Sequence, residues 1–300
     1  MGRYSPPNPR REPTQQHPPA TADFHTHTAR SDGVLEPSEL VRQVAETTVQ
    51  TLAITDHDSL AGVREVLARG APDGFRIIPG VEINALTRGL DVPEGEIHIL
   101  GLGVDPADEQ LEDALRTQRE ARRIRFQATI ARFRELGMPI DAQVAGIDLS
   151  RDDALGRPTV ARALIAAGFA TSVEDAFSRL LGWGMPGYVA RTGLGPFDAI
   201  RVIREASGLP ILAHFAAAPS RSDLLGRLVD AGLGGIETHH RSFEAETRLL
   251  MTDVARRFGL VPSGGTDFHG DLGPYALAHE ELVLPESVEE AVMTALGGPG

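Results

Sequence analysis

Short apolar segments with the length of β-strands alternate with helical segments along most of this chain. The predicted strands are Ala22–Thr26, Thr51–Thr55, Phe75–Ile83, Ile97–Gly103, Pro210–Phe215, Gly235–Thr238 and Leu260–Gly264. The predicted helices between most of them are Pro37–Thr47, Leu60–Arg69, Phe197–Ala206, Ser220–Ala231 and Glu244–Phe258. Such alternation is typical of parallel strands joined by crossover helices. Seven strands of this type favour a closed or nearly closed α/β barrel over an open sheet.

The segment 105–195 interrupts this alternation, because it contains no convincing strand. Its apolar positions share one face of a long helix, which Gly137 and Pro139 would end: Leu111, Leu115, Phe126, Ile130 and Phe133. We therefore expect a helical insertion, over residues 105–195, that covers one end of the barrel. Residues 22–104 and 196–290 would form the two parts of the barrel, and the proline-rich residues 1–21 a flexible tail.

The composition excludes several classes of function. The chain has no cysteine, which rules out a disulfide framework, a thiolate zinc site and a cysteine nucleophile. It also lacks the apolar stretches of a membrane span or a secretory signal, so we expect a cytoplasmic protein without membrane contact. The net charge of -13 disfavours binding to long DNA. All basic residues are arginine, so any phosphate contact must use guanidinium groups.

Histidines and acids cluster at the ends of the predicted strands. We place the following residues at or near the C-terminal ends, where the strands of a parallel barrel converge: His25, His27, Asp32, His57, Glu82, His98, His214, Asp267 and His269. His25 and His27 alternate along one strand and should project the same way. A single histidine at a strand end is more often structural, but so many polar groups beside apolar strands predict a multinuclear metal site. Imidazole and carboxylate ligands suit Mn, Zn or Fe equally.

These motifs, in this order, resemble the polymerase and histidinol phosphatase (PHP) superfamily. The matching pieces are His25-Thr-His27, Thr55-Asp-His57, Glu82, His98, Ala213-His214 and Gly265-Thr-Asp267-Phe-His269. The match extends from about Ala22 to Gly270. Gly156-Arg157-Pro158 and the following helix resemble the insertion motif of one subgroup. That subgroup includes 3′,5′-nucleoside bisphosphate phosphatases, AMP phosphatases and a 5′→3′ exoribonuclease.

The resemblance implies a distorted (β/α)7 barrel, related to the TIM barrel, with two or three divalent metal ions. By position, the first metal would be held by His25, His27, Glu82 and Asp267. Glu82 would bridge to a second metal, which His98 and His214 would also bind. Asp32, His57 and His269 would hold the third.

The resemblance also suggests three residues that act on the substrate. Arg157 and Arg191 would contact it from the insertion, although each could equally be a solvated surface arginine. Relatives often have lysine at the position of Arg191. His240 would donate a proton to the leaving oxygen, or orient a metal ligand. Its neighbour His239 should face away by strand alternation and be structural.

A run of arginines lies in the predicted long helix: Arg116, Arg119, Arg122, Arg123 and Arg125. Acidic residues such as Glu112 and Glu120 dilute the charge, and aromatic residues are almost absent. We expect a solvated helix face here, rather than a surface that binds nucleic acid.

The leading functional hypothesis is a metal-dependent phosphoesterase that removes a terminal phosphate from a small nucleotide, either a 3′,5′-bisphosphate or a 5′-monophosphate. One alternative is a histidinol-phosphate phosphatase, and another is a 5′→3′ exonuclease on short RNA. A third is a non-catalytic barrel that binds metal or nucleotide.

Overall fold

The computed structural model describes residues 18–87, 90, 95–147, 155–270 and 272–297. Its strands are β1 (Ala22–Asp23), β2 (Thr51–Ile54), β3 (Arg76–Leu86), β4 (Glu96–Leu102), β5 (Leu209–Leu212), β6 (Gly235–His240) and β7 (Val261–Gly265). Its helices are α1 (Pro37–Val44), α2 (Ala61–Arg69), α3 (Glu109–Glu135), α4 (Asp141–Val144), α5 (Arg157–Ala166), α6 (Val173–Ala176), α7 (Pro196–Glu205), α8 (Ser222–Asp230), α9 (Ala245–Phe258), α10 (Tyr275–Glu281) and α11 (Glu286–Ala295). A π-helical turn, Phe177–Leu181, follows α6.

The strands form one seven-stranded sheet in sequence order, β1 to β7. The main chain then nearly closes the barrel, because Phe24 N–H donates to the Gly264 carbonyl at 3.2 Å and Asp267 N–H donates to the His25 carbonyl at 2.8 Å. A parallel bridge between Thr26 and Phe268 continues this contact. The predicted barrel is confirmed.

The expectation that all strands run parallel is wrong for β4, which is antiparallel to both β3 and β5. Only residues 87–95 separate β3 from β4. A parallel connection needs a crossover of roughly a dozen residues or more, so this short link returns the chain in the opposite direction. The reversal places the first residues of β4, rather than the last, at the rim formed by the C-terminal ends of its neighbours.

Amphipathic helices cover the outside of the sheet. Leu40 and Val44 of α1 and Val63 of α2 are buried against it, in a core that includes Leu52 and Ile54 of β2. The exposed faces of these helices carry charged side chains such as Arg42 and Arg69, as expected for surface helices. Burial of these apolar faces stabilises the barrel, and the polar residues lie at its rim.

Between β4 and α7, the described residues form helices, turns and irregular segments, with no strand among them. The Asp108 side chain caps α3 by accepting the Leu111 N–H at 2.7 Å, and Gly137, in the left-handed region with φ 74°, follows its end. Phe126 and Phe133 of α3 pack in a hydrophobic cluster of their own, separate from the barrel cores, with Leu164 of α5. We refer to these helices, α3 to α6, as the cap; its exact limits stay a proposal.

Residues 1–17 of the predicted flexible tail lie outside the described residues. Within the described part of the chain, we find no helix that combines the length and the apolar character needed to cross a membrane.

Candidate metal centre

The predicted metal ligands come together at one rim of the barrel. His25 and His27 follow β1, His57 follows β2, His214 follows β5, and Asp267 with His269 follows β7. Glu82 lies inside β3, beyond the point where its pairing with β2 ends at Ile54 and Pro79. His98 lies near the start of the reversed β4, not near a C-terminal strand end as predicted. Asp32 comes from the loop after His27.

Four side chains form the most compact group: His25, His27, Glu82 and Asp267. The Nε2 atoms of His25 and His27 lie 3.1 Å apart. Glu82 Oε2 lies 3.3 Å from Nε2 of His25 and 3.2 Å from Nε2 of His27. Asp267 Oδ1 lies at the same two distances, 3.3 Å and 3.2 Å. Ligands about 2.0–2.1 Å from one cation in a tetrahedral site are about 3.3 Å apart, so these atoms are spaced to share an ion.

Glu82 is the hub of the cluster. Its Oε2 also lies 2.9 Å from Nδ1 of His57. Its Oε1 lies 2.8 Å from Nδ1 of His98 and 3.1 Å from Nε2 of His214. One fully buried carboxylate therefore faces imidazoles on both oxygens, which is the arrangement that the predicted bridging role needs. His57, Glu82 and His98 together form a second group with metal-ligand spacing. His214 lies beside this group, because its Nε2 contacts the same Glu82 oxygen as His98 does.

A third group surrounds Asp32. Its Oδ1 lies 3.1 Å from Nε2 of His269, and its Oδ2 lies 3.8 Å from Nε2 of His57. His27 joins them through Nδ1, which lies 3.9 Å from Asp32 Oδ1. The structure thus brings together the trio that the resemblance implies, with His27 beside it.

Hydrogen bonds from the outer ring nitrogens orient two of the histidines. Nδ1 of His25 lies 3.0 Å from Glu237 Oε1, and Nδ1 of His269 lies 2.9 Å from the Asp267 carbonyl oxygen. Each Nδ1–H donates to that oxygen in the neutral ring, which leaves an Nε2 lone pair directed into the cluster. This is the tautomer that a metal ligand requires.

The sequence reasoning missed Glu237, which is fully buried in β6 and also accepts the His214 N–H at 2.6 Å. A glutamate inside a predicted barrel strand was the available signal, because a buried carboxylate needs a partner. Strand alternation alone would place Glu237 on the same face as His239. A β-bulge between Glu237 and His239 changes this register, so Glu237 and His240 both reach the cluster.

His240 lies at the edge of the cluster. Its Nε2 is 3.4 Å from Asp267 Oδ2, and its Nδ1 is 2.7 Å from the Ser242 hydroxyl. Its ring stacks at an angle on Phe243, with 5.4 Å between the ring centroids. These contacts fix the imidazole next to the ligand set.

The electrostatics of the cluster require added positive charge. Burial favours neutral His27, yet hydrogen bonds to Asp267 and Glu82 raise its pKa to about 10. Burial also favours neutral Glu82, but His57, His98 and His25 hold its pKa well below the usual value. Burial favours neutral His25 as well, but Glu237, Glu82 and Asp267 raise its pKa well above the usual value, so protons on His25 and His27 balance carboxylate charge.

The residues also fit a metal by their hydrogen bonding. Buried Nδ1 of His57 and Oε2 of Glu82 have no well-oriented hydrogen-bond partner among the described residues. Unpartnered buried polar atoms are costly, and a shared cation would satisfy both. The donor set, imidazole nitrogen and carboxylate oxygen, suits Mn, Zn or Fe.

A partly open polar cavity lies between the barrel and the cap. It is lined by Leu86, Gly95, Glu96, Arg125, Arg157, Tyr188 and Arg191. Burial favours neutral Glu96, but Arg191, Arg157 and Arg125 hold the pKa of its carboxyl at about 2. Arg191 is 4% exposed and donates from Nη2 to the Asn84 carbonyl at 2.5 Å. Asn84 pairs with His98 in the sheet, so the cavity adjoins the predicted metal ligands.

Both predicted substrate arginines therefore lie at this cavity. Nε of Arg191 has no hydrogen-bond partner among the described residues. The Arg157 guanidinium lies over the Phe177 ring, 5.6 Å from its centroid.

The expectation that the arginine run of α3 is a solvated face is wrong for part of the run. Arg116 is exposed, but the side chains of Arg119, Arg122 and Arg125 are only 18%, 12% and 12% exposed. These three recur every three residues, so they share one face of the helix, and that face lies on the barrel rim. Arg125 Nη1, for example, donates to Glu96 Oε1 at 3.1 Å.

A model of the PHP domain matches residues 23–139 of this chain. The chain is 33% identical over 278 residues to the 5'-3' exoribonuclease Rnm of Salmonella typhimurium, covering 89% of this chain and 91% of the relative. It is 32% identical over 267 residues to the 3',5'-nucleoside bisphosphate phosphatase of Chromobacterium violaceum, covering 83% of this chain and 87% of the relative.

A solved structure from Bifidobacterium adolescentis, assigned as a metal-dependent phosphoesterase, superimposes with a TM-score of 0.71 at 28% identity. The superposition covers 95% of this chain and 99% of that one. The fold, the order of the motifs and the sequence identity over nearly the whole length all match the PHP relatives. The chain therefore belongs to the PHP domain family of phosphate-ester hydrolases.

Proposed function

We propose that this protein hydrolyses a terminal phosphate from a small nucleotide, a 3′,5′-bisphosphate or a 5′-monophosphate. The observation that carries the proposal is that two sites suited to phosphate lie side by side, the predicted metal cluster and an arginine-lined cavity. The ligand cluster adjoins, on the side of His98, a cavity that three arginines line. One phosphate of the substrate would lie at the ligand cluster, and the rest of the nucleotide would occupy the cavity.

The nine predicted ligands would hold two or three divalent ions: His25, His27, Asp32, His57, Glu82, His98, His214, Asp267 and His269. When bound, such ions lower the pKa of a bound water, hold the phosphoryl oxygens and neutralise charge on the leaving oxygen. Glu82 would neutralise part of the charge between them, because it faces imidazoles from both of its oxygens.

The chain's own residues would position the substrate. Arg125, Arg157 and Arg191 outnumber Glu96 at the cavity, which leaves a net positive charge suited to a phosphate dianion. Arg191 offers a buried Nε–H without a hydrogen-bond partner among the described residues, a donor that a phosphate oxygen would satisfy. Phosphoryl transfer depends mainly on such positioning and charge stabilisation.

His240 would donate the proton to the leaving oxygen. Ser242 and Phe243 fix its ring, and its Nε2 is the nitrogen that lies near Asp267 and the cluster. The same contact with Asp267 would allow His240 to orient that ligand instead. A proton donor and an orienting residue differ in their effect on the pH dependence of kcat.

The residues of the cap would form the lid of this substrate site. The limits that we propose for it, 105–195, follow the change from strands to helices. The barrel would then comprise residues 22–104 and 196–290.

A second candidate function is 5′→3′ exonuclease action on short RNA. The relative at 33% identity that is named as a 5'-3' exoribonuclease favours it. Such a substrate would place its 5′ nucleotide in the same cavity. Histidinol phosphate is a poorer candidate, because its ammonium group would meet a cavity with excess guanidinium charge. A non-catalytic role is disfavoured, because all nine ligand positions are filled.

A substrate panel tests the proposal. Protein loaded with Mn²⁺ is incubated with adenosine 3′,5′-bisphosphate, AMP, histidinol phosphate and a 5′-phosphorylated RNA tetramer. We expect phosphate release to be fastest from one of the first two. Mononucleotides released in order from the tetramer, at a higher kcat/KM than for either small substrate, would favour the exonuclease instead. Absence of hydrolysis of every substrate, with metal bound, would contradict both.

A further inference from the structure

Asp58, which directly follows His57, has a fully buried carboxylate and a left-handed backbone with φ 49°. Its N–H donates to the Glu82 carbonyl at 2.9 Å, and its Oδ1 accepts the Asn84 N–H at 3.2 Å. These bonds extend the contact between the chain after β2 and the strand β3, next to the bridge between His57 and Glu82. Asp58 is therefore fixed to the strand that carries the hub of the cluster.

The same residue contacts the cap from its other side. Arg122 Nη2 forms a short ion pair with Asp58 Oδ2. Arg119 Nη1 donates to the Asp58 carbonyl at 2.8 Å. Nη1 of Arg191 lies 3.9 Å from Asp58 Oδ2. The long helix α3 and the segment before α7 thus meet at one aspartate of the barrel.

The Asp58 carboxylate lies next to two guanidinium groups that are largely removed from water. Arg191 is nearly fully buried, and only 12% of the Arg122 side chain is exposed. Buried guanidinium groups need an ionised partner, and loss of that partner leaves an uncompensated buried charge. Glu96 Oε1 lies 3.9 Å from Nε of Arg191 on another edge of the guanidinium, so two carboxylates hold this group between them.

We infer that Asp58 is a positioning residue whose charge, through Arg122 and Arg191, fixes the cap over the metal centre. This inference rests on the proposed function, because it takes Arg191 to contact the part of the nucleotide that lies in the cavity. Asp58 itself would not touch the substrate. Its removal would displace the arginines while the cluster of ligands stays in place.

The test compares Asp58→Asn with Asp56→Asn. Asp56 is also buried and lies on the other side of His57, but its carboxylate accepts from Thr28 and Ser31 of the barrel. The substrates are adenosine 3′,5′-bisphosphate, whose second phosphate and nucleoside would reach the cavity, and p-nitrophenyl phosphate, which has neither. For Asp58→Asn we expect kcat/KM to fall at least about tenfold for the bisphosphate, mainly through KM, and far less for p-nitrophenyl phosphate.

Arg122→Gln should reproduce this pattern, and Arg122→Lys should recover part of the loss because it retains the charge. Asp56→Asn should lower kcat/KM by the same factor for both substrates. Hydrogen exchange gives a readout that needs neither metal nor activity. In Asp58→Asn, the amides of α3 near Arg122 should exchange at least about tenfold faster, while those of β6 and β7 keep their protection.

Equal losses on both substrates, or α3 exchange that matches the wild type, would overturn the inference. If the wild type cleaves p-nitrophenyl phosphate but neither the bisphosphate nor AMP, the proposed nucleotide function fails. The exchange comparison between the two aspartate variants still decides the role of Asp58 in that case.

Discussion

Nε2 of His25 and Nε2 of His27 lie 3.1 Å apart, although neither ring is exposed to solvent. Two neutral imidazoles with lone pairs at this separation repel one another, so the pair needs a proton or a cation between its nitrogens. Glu82 and Asp267 add two carboxylate oxygens at 3.2–3.3 Å. The barrel has therefore concentrated electron donors at one point, and this is the basis of the predictions that follow.

Removal of one member of the four-ligand group should abolish phosphate release. We expect His25→Ala and Asp267→Ala to lower kcat by at least about 10³-fold, because positioned cations supply most of the stabilisation in such reactions. Three quantities are measured for each variant: the rate of phosphate release, the metal content, and the folded state by circular dichroism. His239→Ala is the matched control, since this histidine is on the same rim but belongs to none of the ligand groups. Turnover near the wild-type rate in a folded, metal-analysed variant would contradict the assignment.

Metal binding should release protons. In the metal-free protein the pKa of His27 is raised to about 10, so its ring is protonated at neutral pH and must lose the proton to become a ligand. The affinity for Mn²⁺ should therefore rise with pH up to about pH 10. Calorimetric titrations in buffers of different ionisation enthalpy measure the protons released. A binding enthalpy that is the same in every buffer would refute the prediction.

Chelation should inactivate the enzyme reversibly. Dialysis against EDTA should remove phosphate release, and addition of Mn²⁺, Zn²⁺ or Fe²⁺ should restore it, with the best ion identified by kcat. Elemental analysis before and after dialysis relates activity to the number of ions bound. Full activity in protein shown to be free of metal would contradict the metal-dependent mechanism.

Glu237→Gln should weaken metal binding more than it slows turnover at saturating metal. The carboxylate fixes the tautomer of His25 and raises the basicity of that ligand, and loss of such a partner typically costs about 10–100-fold in metal affinity or activity. Activity as a function of Mn²⁺ concentration measures the effect. Glu246→Gln, at an exposed position of α9, should not shift the titration. An unchanged titration in Glu237→Gln would mean that the contact with His25 has no role in ligation.

Arg191→Gln should raise KM for adenosine 3′,5′-bisphosphate by about 10-fold or more, since a hydrogen bond to a charged group contributes about 1.5–3 kcal/mol. The loss should be much smaller for p-nitrophenyl phosphate. Arg116→Gln, on the exposed side of α3, should behave as wild type on both. Steady-state kinetics decides, and an equal loss on the two substrates would argue that Arg191 supports the fold rather than the nucleotide.

Local patterns in the sequence were enough to predict the type of fold and most of the site. Alternation placed His25 and His27 on one side of the chain, and Gly137 marked the end of α3, because both effects depend only on neighbouring residues. The change from apolar strands to acids and histidines identified the rim. Each of these signals is contained within a few consecutive positions.

The tertiary structure decided the features that depend on pairing between distant segments. The reversal of β4 brings His98 to the rim from the first residues of its strand, and the bulge in β6 brings both Glu237 and His240 to the cluster. Asp58 and Arg122, which form an ion pair, come from separate elements of the chain. Hydrogen bonds and ion pairs between remote strands and helices set these positions, and no local periodicity records which distant partner a residue will meet.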